Sequence, residues 1–319
     1  MTDQTTHLPT ASPTSRHLLG IRGMSSRDLY LYLDTARTFR EVLERPVRNL
    51  PTLRGVQVVN LFFENSTRTR ISFELAEKRL GADVLNFAAG GSSVSKGETL
   101  LDTIRNIEAM KIDAVVMRHS APGAPWFLAD RIKSVVINAG DGAHEHPTQA
   151  LLDLYTLREK FRVLEGLRVT LIGDIAHSRV AMSNLFALKI AGAIPAVCGP
   201  ASMIPRDLDK LGIIVYHNVE EAIKNSDAIN VLRIQLERAA GAAIPSLREY
   251  RIRYGINKRL LDKADHPMTI LHPGPINRGV EIDHDVADGE HSLILDQVTN
   301  GVAVRMAILY LLCRGINRG

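Results

Sequence analysis

The sequence is poor in cysteine and has no long apolar run, and both absences narrow what the protein can be. Cys198 and Cys313 are the only cysteines in 319 residues, and their spacing fits neither a metal site nor a redox pair. No apolar stretch approaches the roughly 20 residues that span a bilayer, and residues 1–16 lack the apolar segment of a signal peptide. We therefore predict a cytoplasmic protein without disulfides or membrane spans, with a disordered tail over residues 1–16.

The sequence also has little excess of one sign of charge over the other. The formal net charge is +4, and the excess is spread along the chain without long Lys/Arg runs. Basic segments with interleaved aromatic residues, which would suggest nucleic-acid binding, are missing from the sequence. Apolar residues make up 45% of the chain, which is enough for a sizeable core, and the length suggests about two domains. Composition thus favours a globular, soluble protein and gives little support to nucleic-acid binding.

Short β-branched runs alternate with segments of helical length, which is typical of parallel sheets covered by helices. We predict an α/β protein with two doubly wound parallel-sheet domains in tandem. The first series of strands is expected at 55–63, 83–87, 113–117 and 134–139, and the second at 168–174, 193–199, 212–217, 227–232 and 268–272.

Three segments carry helical patterns that bear on the organisation of the chain. Residues 146–160 are expected to form a helix that crosses between the domains, with Pro147 in its first turn. Residues 298–312 are apolar enough for a buried closing helix. A third helix is predicted over 69–81, ending at Gly81, with these side chains facing inward: Ile71, Leu75, Ala76 and Leu80.

The segment "FFENSTRTR" (62–70) lies where a predicted strand gives way to this third helix. Backbone N–H groups at a helix start lack intrahelical acceptors and the helix dipole is positive there, so phosphate binds readily. Ser66, Thr67 and Thr69 add hydroxyl donors, and Arg68 offers a planar group that can hold two phosphate oxygens. Taken singly, such residues commonly serve as N-caps or remain solvated. The cluster favours an anion site, because Arg68 lies where the dipole disfavours a cation.

Other polar residues follow the ends of predicted strands. Arg118 lies in "MRH", Arg179 closes "GDIAHSR" and Arg233 lies in "LRIQ". In open α/β sheets, ligands bind beyond the carboxyl ends of the strands. Four arginines at such positions, Arg68 included, indicate substrates rich in negative charge.

These motifs together resemble the catalytic chain of the aspartate carbamoyltransferase family. The resemblance rests on "FFENSTRTR", "SSVSKGETLLDT", "MRHS", "NAGDGAHEHPTQALLDL", "LRIQLER" and "HPGPINRGVEI", in family order from about Leu18 to about Leu312. It implies transfer of a carbamoyl group from carbamoyl phosphate to the amino group of L-aspartate, giving N-carbamoyl-L-aspartate and phosphate early in pyrimidine synthesis. It implies no cofactor and no metal.

The resemblance also implies roles for individual residues. The catalytic set would be Arg68, Thr69, Lys96, Arg118 and His146. Carbamoyl phosphate would bind to Ser66, Thr67, Arg68, Thr69, Ser92, Arg118, His146, Gln149, Gly274 and Pro275. Aspartate would bind to Lys96, Arg179, Arg233 and Gln235. His146 is expected to be neutral beside a helix start and to donate to the carbonyl oxygen. The nearby His144 is not expected to hold a metal, since two histidines without a third ligand are weak evidence for one.

Domain organisation and partners follow from the same resemblance. A carbamoyl-phosphate domain is expected over 17–150, completed by a C-terminal helix over 298–319, and an aspartate domain over 151–297. Ser92 and Lys96 would reach into the active site of a neighbouring subunit, which implies a homotrimer with shared active sites. Assembly with dihydroorotase or with a regulatory chain stays open, whereas nucleic acid and membranes are not expected as partners.

Two other functions remain as alternatives. A carbamoyltransferase for another amino acid, such as ornithine, would need acidic partners and a cysteine-containing motif, where this chain has "LHPGP" and "LRIQ". A catalytically silent homologue acting as a scaffold would not need the arginine cluster, although the cluster does not argue against assembly.

Overall fold

Two parallel β-sheets, each with its own helices, divide the chain into two units. The computed structural model describes residues 8–88, 99–235 and 246–316. One unit comprises Met1–Tyr155 and Thr299–Gly319, and the other comprises Thr156–Val298. The predicted fold class, two doubly wound parallel-sheet domains in tandem, is confirmed. None of the helices described is both long and apolar enough to cross a bilayer.

The strands fall close to the segments that the sequence predicts, because most are short apolar runs, and inner strands such as β1 and β5 are buried on both faces. In the first unit they are β1 (Gln57–Phe62), β2 (Asp83–Ala88), β3 (Ala114–His119) and β4 (Val135–Asp141). In the second unit they are β5 (Arg168–Ile172), β6 (Ile194–Cys198), β7 (Ile214–Tyr216), β8 (Ala228–Val231) and β9 (Thr269–Leu271).

The helices connect and cover these strands. In the order of the chain they are α1 (Ser26–Leu43), α2 (Thr67–Leu80), α3 (Leu100–Ala109), α4 (Ala124–Ala129), α5 (Pro147–Phe161), α6 (Arg179–Ile190), α7 (Val219–Lys224), α8 (Leu247–Tyr254), α9 (Lys258–Leu261), α10 (His284–Ala287) and α11 (Ile294–Cys313). The chain passes from the first unit to the second within α5 and returns within α11. Helix α5 begins at Pro147, one residue after the predicted start, and Pro147 lies in its first turn as predicted.

The strand order gives each sheet one point where the winding reverses. The first sheet has the order β2-β1-β3-β4, so connections run outward in opposite directions from the pair β1 and β3. The second sheet has the order β7-β6-β5-β8-β9, and its reversal lies between β5 and β8. A crevice forms outside the carboxyl ends of the strands at such a reversal, and ligands of open α/β sheets bind there.

Residues near the N-terminus contact the last helix of the first unit. Arg314, just beyond α11, donates to the carbonyl oxygens of Pro9 and Thr10 and, at 2.6 Å, to that of Ala11. The backbone N–H of Thr14 donates to Asp28 Oδ2 at 3.1 Å. Part of the segment predicted as a disordered tail therefore has defined contacts, because α11 and α1 supply hydrogen-bonding groups for its backbone.

The predicted inward face of α2 is wrong at two positions. The side chains of Ile71 and Leu75 are 55% and 37% exposed. The buried face instead carries Thr69, Phe73, Ala76, Glu77 and Leu80. A carboxylate, Glu77, occupies a core position where the hydrophobic pattern leads one to expect an apolar residue. Its burial is possible because Asn60 Nδ2 on β1 donates to Glu77 Oε2 at 2.9 Å.

Candidate active site

The first reversal point brings the start of α2 beside the end of β3. Ser66 takes the N-cap position of α2, but among the described residues its hydroxyl accepts no capping hydrogen bond from the helix. The backbone N–H groups of the first turn therefore point outward without intrahelical acceptors. Thr67 and Arg68 are exposed, whereas Thr69 is buried. The first turn of α2 thus offers backbone N–H donors at the position where the sequence predicts a phosphate cradle.

Arg118 lies at the end of β3, where it is the register partner of Phe62 on β1. Its guanidinium donates through Nη1 to the Ala139 carbonyl at 3.3 Å and lies 3.5 Å from Glu64 Oε1 through Nη2. The side chain is only 13% exposed, and these contacts fix the orientation of its guanidinium group. A largely covered cation held next to the start of α2 adds positive potential at the edge where an anion is expected.

Helix α5 places two further predicted residues beyond the end of β4. His146 directly precedes the helix and is buried, with Nδ1 at 3.5 Å from Thr148 Oγ1. Gln149 is also buried, and its Nε2 donates to Asp153 Oδ1 at 2.9 Å. Since β4 is the neighbour of β3, these residues belong to the same edge of the sheet as Arg118.

The acidic and histidine side chains around the "HEH" segment make structural hydrogen bonds. Asp141 Oδ2 accepts from the Gly123 N–H at 2.7 Å and lies 3.0 Å from His144 Nδ1. The Glu145 carboxylate accepts from the Ile21 N–H at 2.7 Å. Over residues 8–88, 99–235 and 246–316, no group of three or more His, Cys, Asp or Glu side chains is placed to hold a metal ion. His144 and Glu145 thus support the loop before α5.

The second reversal point joins the loop after β5 to the end of β8. Asp174 is fully buried, and its carboxylate accepts from the His177 ring at 2.8 Å and from the Gln235 N–H at 3.3 Å. Gly173 precedes it with a φ of +130°, and a Cβ there would lie 2.7 Å from the Leu232 carbonyl oxygen. Glycine is required at this position because the two strand ends approach so closely.

Two arginines of the second unit lie at this same edge. Arg179 is the first residue of α6 and is buried, while Ser178 caps the helix by accepting from the Ala181 N–H. Arg233 follows β8 and is half-buried. A buried cation at a helix N-terminus is disfavoured by the dipole, and an anion bound beside Arg179 would offset that cost.

The loop after β9 carries the last predicted residues. Gly274 has a φ of +66° and is joined to Pro275 by a cis peptide bond. The Gly274 N–H donates to His272 Nδ1 at 2.8 Å, so the ring proton must reside on Nε2, which lies 3.4 Å from Glu281 Oε1. Because β9 neighbours β8, this loop lies at the same edge of the second sheet as Arg233 and Gln235.

Within each unit, then, the predicted residues converge on one reversal point. Ser66, Thr67, Arg68, Thr69, Arg118, His146 and Gln149 lie in the first unit, and Arg179, Arg233, Gln235, Gly274 and Pro275 lie in the second. Ser92 and Lys96 lie outside the described residues. Two buried charged residues of the first unit, Asp153 and Arg305, were not predicted. Asp153 follows Gln149 by one helical turn, and that spacing was the available signal.

Comparison with known protein families identifies the family of this chain. A model of the aspartate/ornithine carbamoyltransferase carbamoyl-P binding domain matches residues 16–159, and a model of the corresponding Asp/Orn binding domain matches residues 165–312. The chain belongs to the aspartate/ornithine carbamoyltransferase family. The family resemblance inferred from the motifs is thereby confirmed.

Individual carbamoyltransferases extend this comparison. The aspartate carbamoyltransferase catalytic subunit of Gemmatimonas aurantiaca is 60% identical over 305 residues, covering 96% of each chain. That of Cytophaga hutchinsonii is 58% identical, covering 93% of this chain and 97% of its own. Aspartate transcarbamoylase from Trypanosoma cruzi, solved with carbamoyl phosphate, has a TM-score of 0.84 at 32% identity and covers 92% of this chain and 94% of its own. Ornithine carbamoyltransferase from Pyrococcus furiosus also has a TM-score of 0.84, at 28% identity, and covers 96% of this chain and all (100%) of its own.

Proposed function

We propose that this chain transfers the carbamoyl group of carbamoyl phosphate to the amino group of L-aspartate, giving N-carbamoyl-L-aspartate and phosphate. The observation that carries the proposal is the start of α2, where Arg68 lies in the first turn and Ser66 makes no capping hydrogen bond among the described residues, beside Arg118 at the reversal point of the first sheet. A phosphate group is proposed to bind there. The proposal is also supported by the family membership of the chain and by its high sequence identity to catalytic subunits of aspartate carbamoyltransferases.

Within this proposal, the phosphate group binds to Ser66, Thr67, Arg68 and Thr69. Arg118 contacts both the phosphate and the carbonyl oxygen, where negative charge grows as the carbon becomes tetrahedral. His146 donates to the same oxygen, and Gln149, Gly274 and Pro275 contact the carbamoyl nitrogen. Ser92 and Lys96 complete the site from a neighbouring subunit.

Aspartate is proposed to bind through the cations of the second unit. Arg179 and Arg233 are matched to its two carboxylates, with Gln235 beside them. An ornithine side chain carries an ammonium group, which these guanidinium groups would repel. The charge at the second reversal point therefore favours aspartate over ornithine as the acceptor.

The reaction requires no protein side chain that acts as a base. The neutral amine of aspartate forms a C–N bond with the carbamoyl carbon, and the C–O bond to phosphate breaks with its electron pair. The leaving phosphate accepts the proton that the amine loses. Rate enhancement comes from orienting the two substrates and from donors aimed at the developing oxyanion.

A direct assay tests the acceptor. We expect purified protein to form product from carbamoyl phosphate with L-aspartate and to form at most about a hundredth as much with L-ornithine, since the wrong acceptor leaves buried charges unpaired. The measurement is carbamoyl transfer at neutral to mildly alkaline pH with each acceptor separately. Product with ornithine alone would refute aspartate as the acceptor. If folded and assembled protein reacts with neither amino acid, the scaffold alternative is favoured.

We further propose a homotrimer with active sites shared between subunits. Strand β2 is one of the two outer strands of the first sheet, and the neighbouring helix α2 exposes Ile71 and Leu75 on one face. Leu85 on β2 is 50% exposed. Exposed apolar side chains beside an open sheet edge favour burial against another chain.

Mixing two inactive variants tests the shared site. Lys96→Ala and Arg233→Ala proteins, mixed in equal amounts and allowed to exchange subunits, should regain about a quarter of wild-type activity, because random assembly gives that share of sites an intact copy of both residues. Arg68→Ala mixed with Arg233→Ala is the matched control and should regain none, since one subunit supplies both residues. Proven subunit exchange without recovery in the first mixture would refute sharing.

A further inference from the structure

Behind the proposed carbamoyl site lies a pair of buried residues of opposite charge. Asp153, on α5, has no exposed surface, and Arg305, on α11, is 4% exposed. Buried charges are costly unless they are paired or satisfied by hydrogen bonds, so their presence calls for a function. Both residues belong to the first unit, and neither is a predicted ligand of a substrate.

Asp153 contacts Gln149 directly. Gln149 Nε2 donates to Asp153 Oδ1 at 2.9 Å, and both side chains are buried. An ionised carboxylate only accepts hydrogen bonds, whereas an amide has a donating nitrogen and an accepting oxygen. The amide nitrogen of Gln149 must therefore face Asp153. Its oxygen then faces away from Asp153 and can accept from a donor.

Arg305 supplies the opposite charge and ties this region to α2. Its Nη1 donates to Ser72 Oγ at 3.0 Å and to the Gly301 carbonyl at 3.1 Å, and its guanidinium lies 5.1 Å from the centroid of the Phe73 ring. Burial lowers the pKa of Arg305 to about 10, and the charge of Asp153 acts in the opposite direction. Arg305 thus remains a cation at neutral pH, and the electrostatic attraction between the two side chains favours the ionised form of Asp153.

We propose that Asp153 is a positioning residue that holds the amide of Gln149 with its oxygen toward the carbamoyl nitrogen of the substrate. The inference rests on the proposed function, in which Gln149 contacts that nitrogen. A carbamoyl NH₂ group can only donate in this contact, so a reversed Gln149 amide would present one N–H group to another. Asp153 excludes that orientation because the amide oxygen would then face a carboxylate.

Two ligands, one with an amide group and one without, can distinguish a positioning role of Asp153 from a purely structural one. Phosphonoacetamide carries both a phosphonate and an amide NH₂, and inorganic phosphate has only the anion. For Asp153→Asn, whose amide accepts either orientation of Gln149, we expect about a tenfold loss of affinity for phosphonoacetamide. Affinity for phosphate should stay within about twofold, since the cradle at α2 is intact. Isothermal titration calorimetry of the assembled protein measures both constants.

A double-mutant cycle adds a second criterion. In a Gln149→Ala background, Asp153→Asn should cause no further loss of phosphonoacetamide affinity, because the group it positions is gone. Glu159→Gln, a carboxylate farther along α5, is the matched control and should change neither affinity. If Asp153→Asn does not fold, the double variant Asp153→Asn/Arg305→Met removes both buried charges together and should show the same selective loss.

The outcomes are distinct. A loss confined to phosphonoacetamide and absent in the Gln149→Ala background supports positioning. Equal weakening of both ligands, no weakening in folded protein, or a loss that persists without Gln149 overturns it. Wild-type protein that binds neither ligand would instead overturn the proposed function on which the inference rests.

Discussion

Replacing Arg68 with alanine is expected to lower kcat/KM for carbamoyl transfer by about 10³-fold. Arg68 lies in the first turn of α2 and is exposed beside the uncapped helix start. Its guanidinium can bind two oxygens of the phosphate, and this contact strengthens as charge accumulates on the leaving group. Steady-state kinetics with carbamoyl phosphate and L-aspartate measure the effect.

Arg70→Ala provides the matched control for Arg68→Ala. Arg70 is an exposed arginine on the same helix, but two residues along an α-helix point to nearly opposite sides. We expect the Arg70→Ala enzyme to stay within about twofold of wild type, since charge loss on that side leaves the cradle intact. An Arg68→Ala enzyme with near wild-type kcat/KM would refute the phosphate role, and an equal loss in both variants would indicate a nonspecific charge effect.

Replacing Glu77 with glutamine is expected to remove a large pH dependence of stability. Burial raises the pKa of Glu77 to about 8, from 4.5 in the unfolded chain. The folded state therefore binds more protons than the unfolded state between these values, so its stability falls as pH rises through this window. Between pH 5.5 and 8.5, wild type should lose about 3 kcal/mol more unfolding free energy than Glu77→Gln.

Urea unfolding of both proteins at several pH values, at one protein concentration, measures this difference. The criterion is how steeply the unfolding free energy changes with pH. This slope is unaffected by any constant loss of stability that the glutamine amide causes in the core. Glu74→Gln is the control on the same helix. Hydrogen bonding to Lys78 lowers the pKa of Glu74, so this carboxylate stabilises the fold above its unfolded pKa and loses that effect as pH falls. Parallel wild-type and Glu77→Gln curves would contradict a buried, proton-binding Glu77.

Much of the architecture could be predicted because parallel strands are short, continuous apolar runs. The segments around β1, β3 and β5 are visible in the sequence without any tertiary information. The start of α5 at Pro147 was equally predictable, since proline suits the first turn of a helix. Residues that follow such strands are candidates for ligand contact, and this rule is the basis on which Arg118 and Arg233 are predicted to contact substrates.

Local pattern failed where a polar residue occupies a core position. Periodicity placed Ile71 and Leu75 inward on α2, but the buried face carries Phe73 and Glu77. Glu77 is accommodated by Asn60, which lies on a different element, β1. A pattern read along one helix contains no information about that partner, so the orientation of α2 could not be obtained from it.

The sequence by itself determined the chemistry at the strand ends. It specified hydroxyls and arginines at the start of α2, arginines after β5 and β8, and the alternation of strands and helices that makes an α/β fold. These features are local, since each depends on residues that are close together along the chain. The family motifs are local in the same sense.

Only the tertiary structure decided the strand order, and with it the two reversal points where these residues converge. It also decided that Asp153 and Arg305, which come from α5 and α11, are both buried in the first unit near Gln149. Strand order and buried charge pairs depend on contacts between segments far apart in the chain. The free energy of such contacts comes from pairing and burial in three dimensions, which residue spacing does not specify.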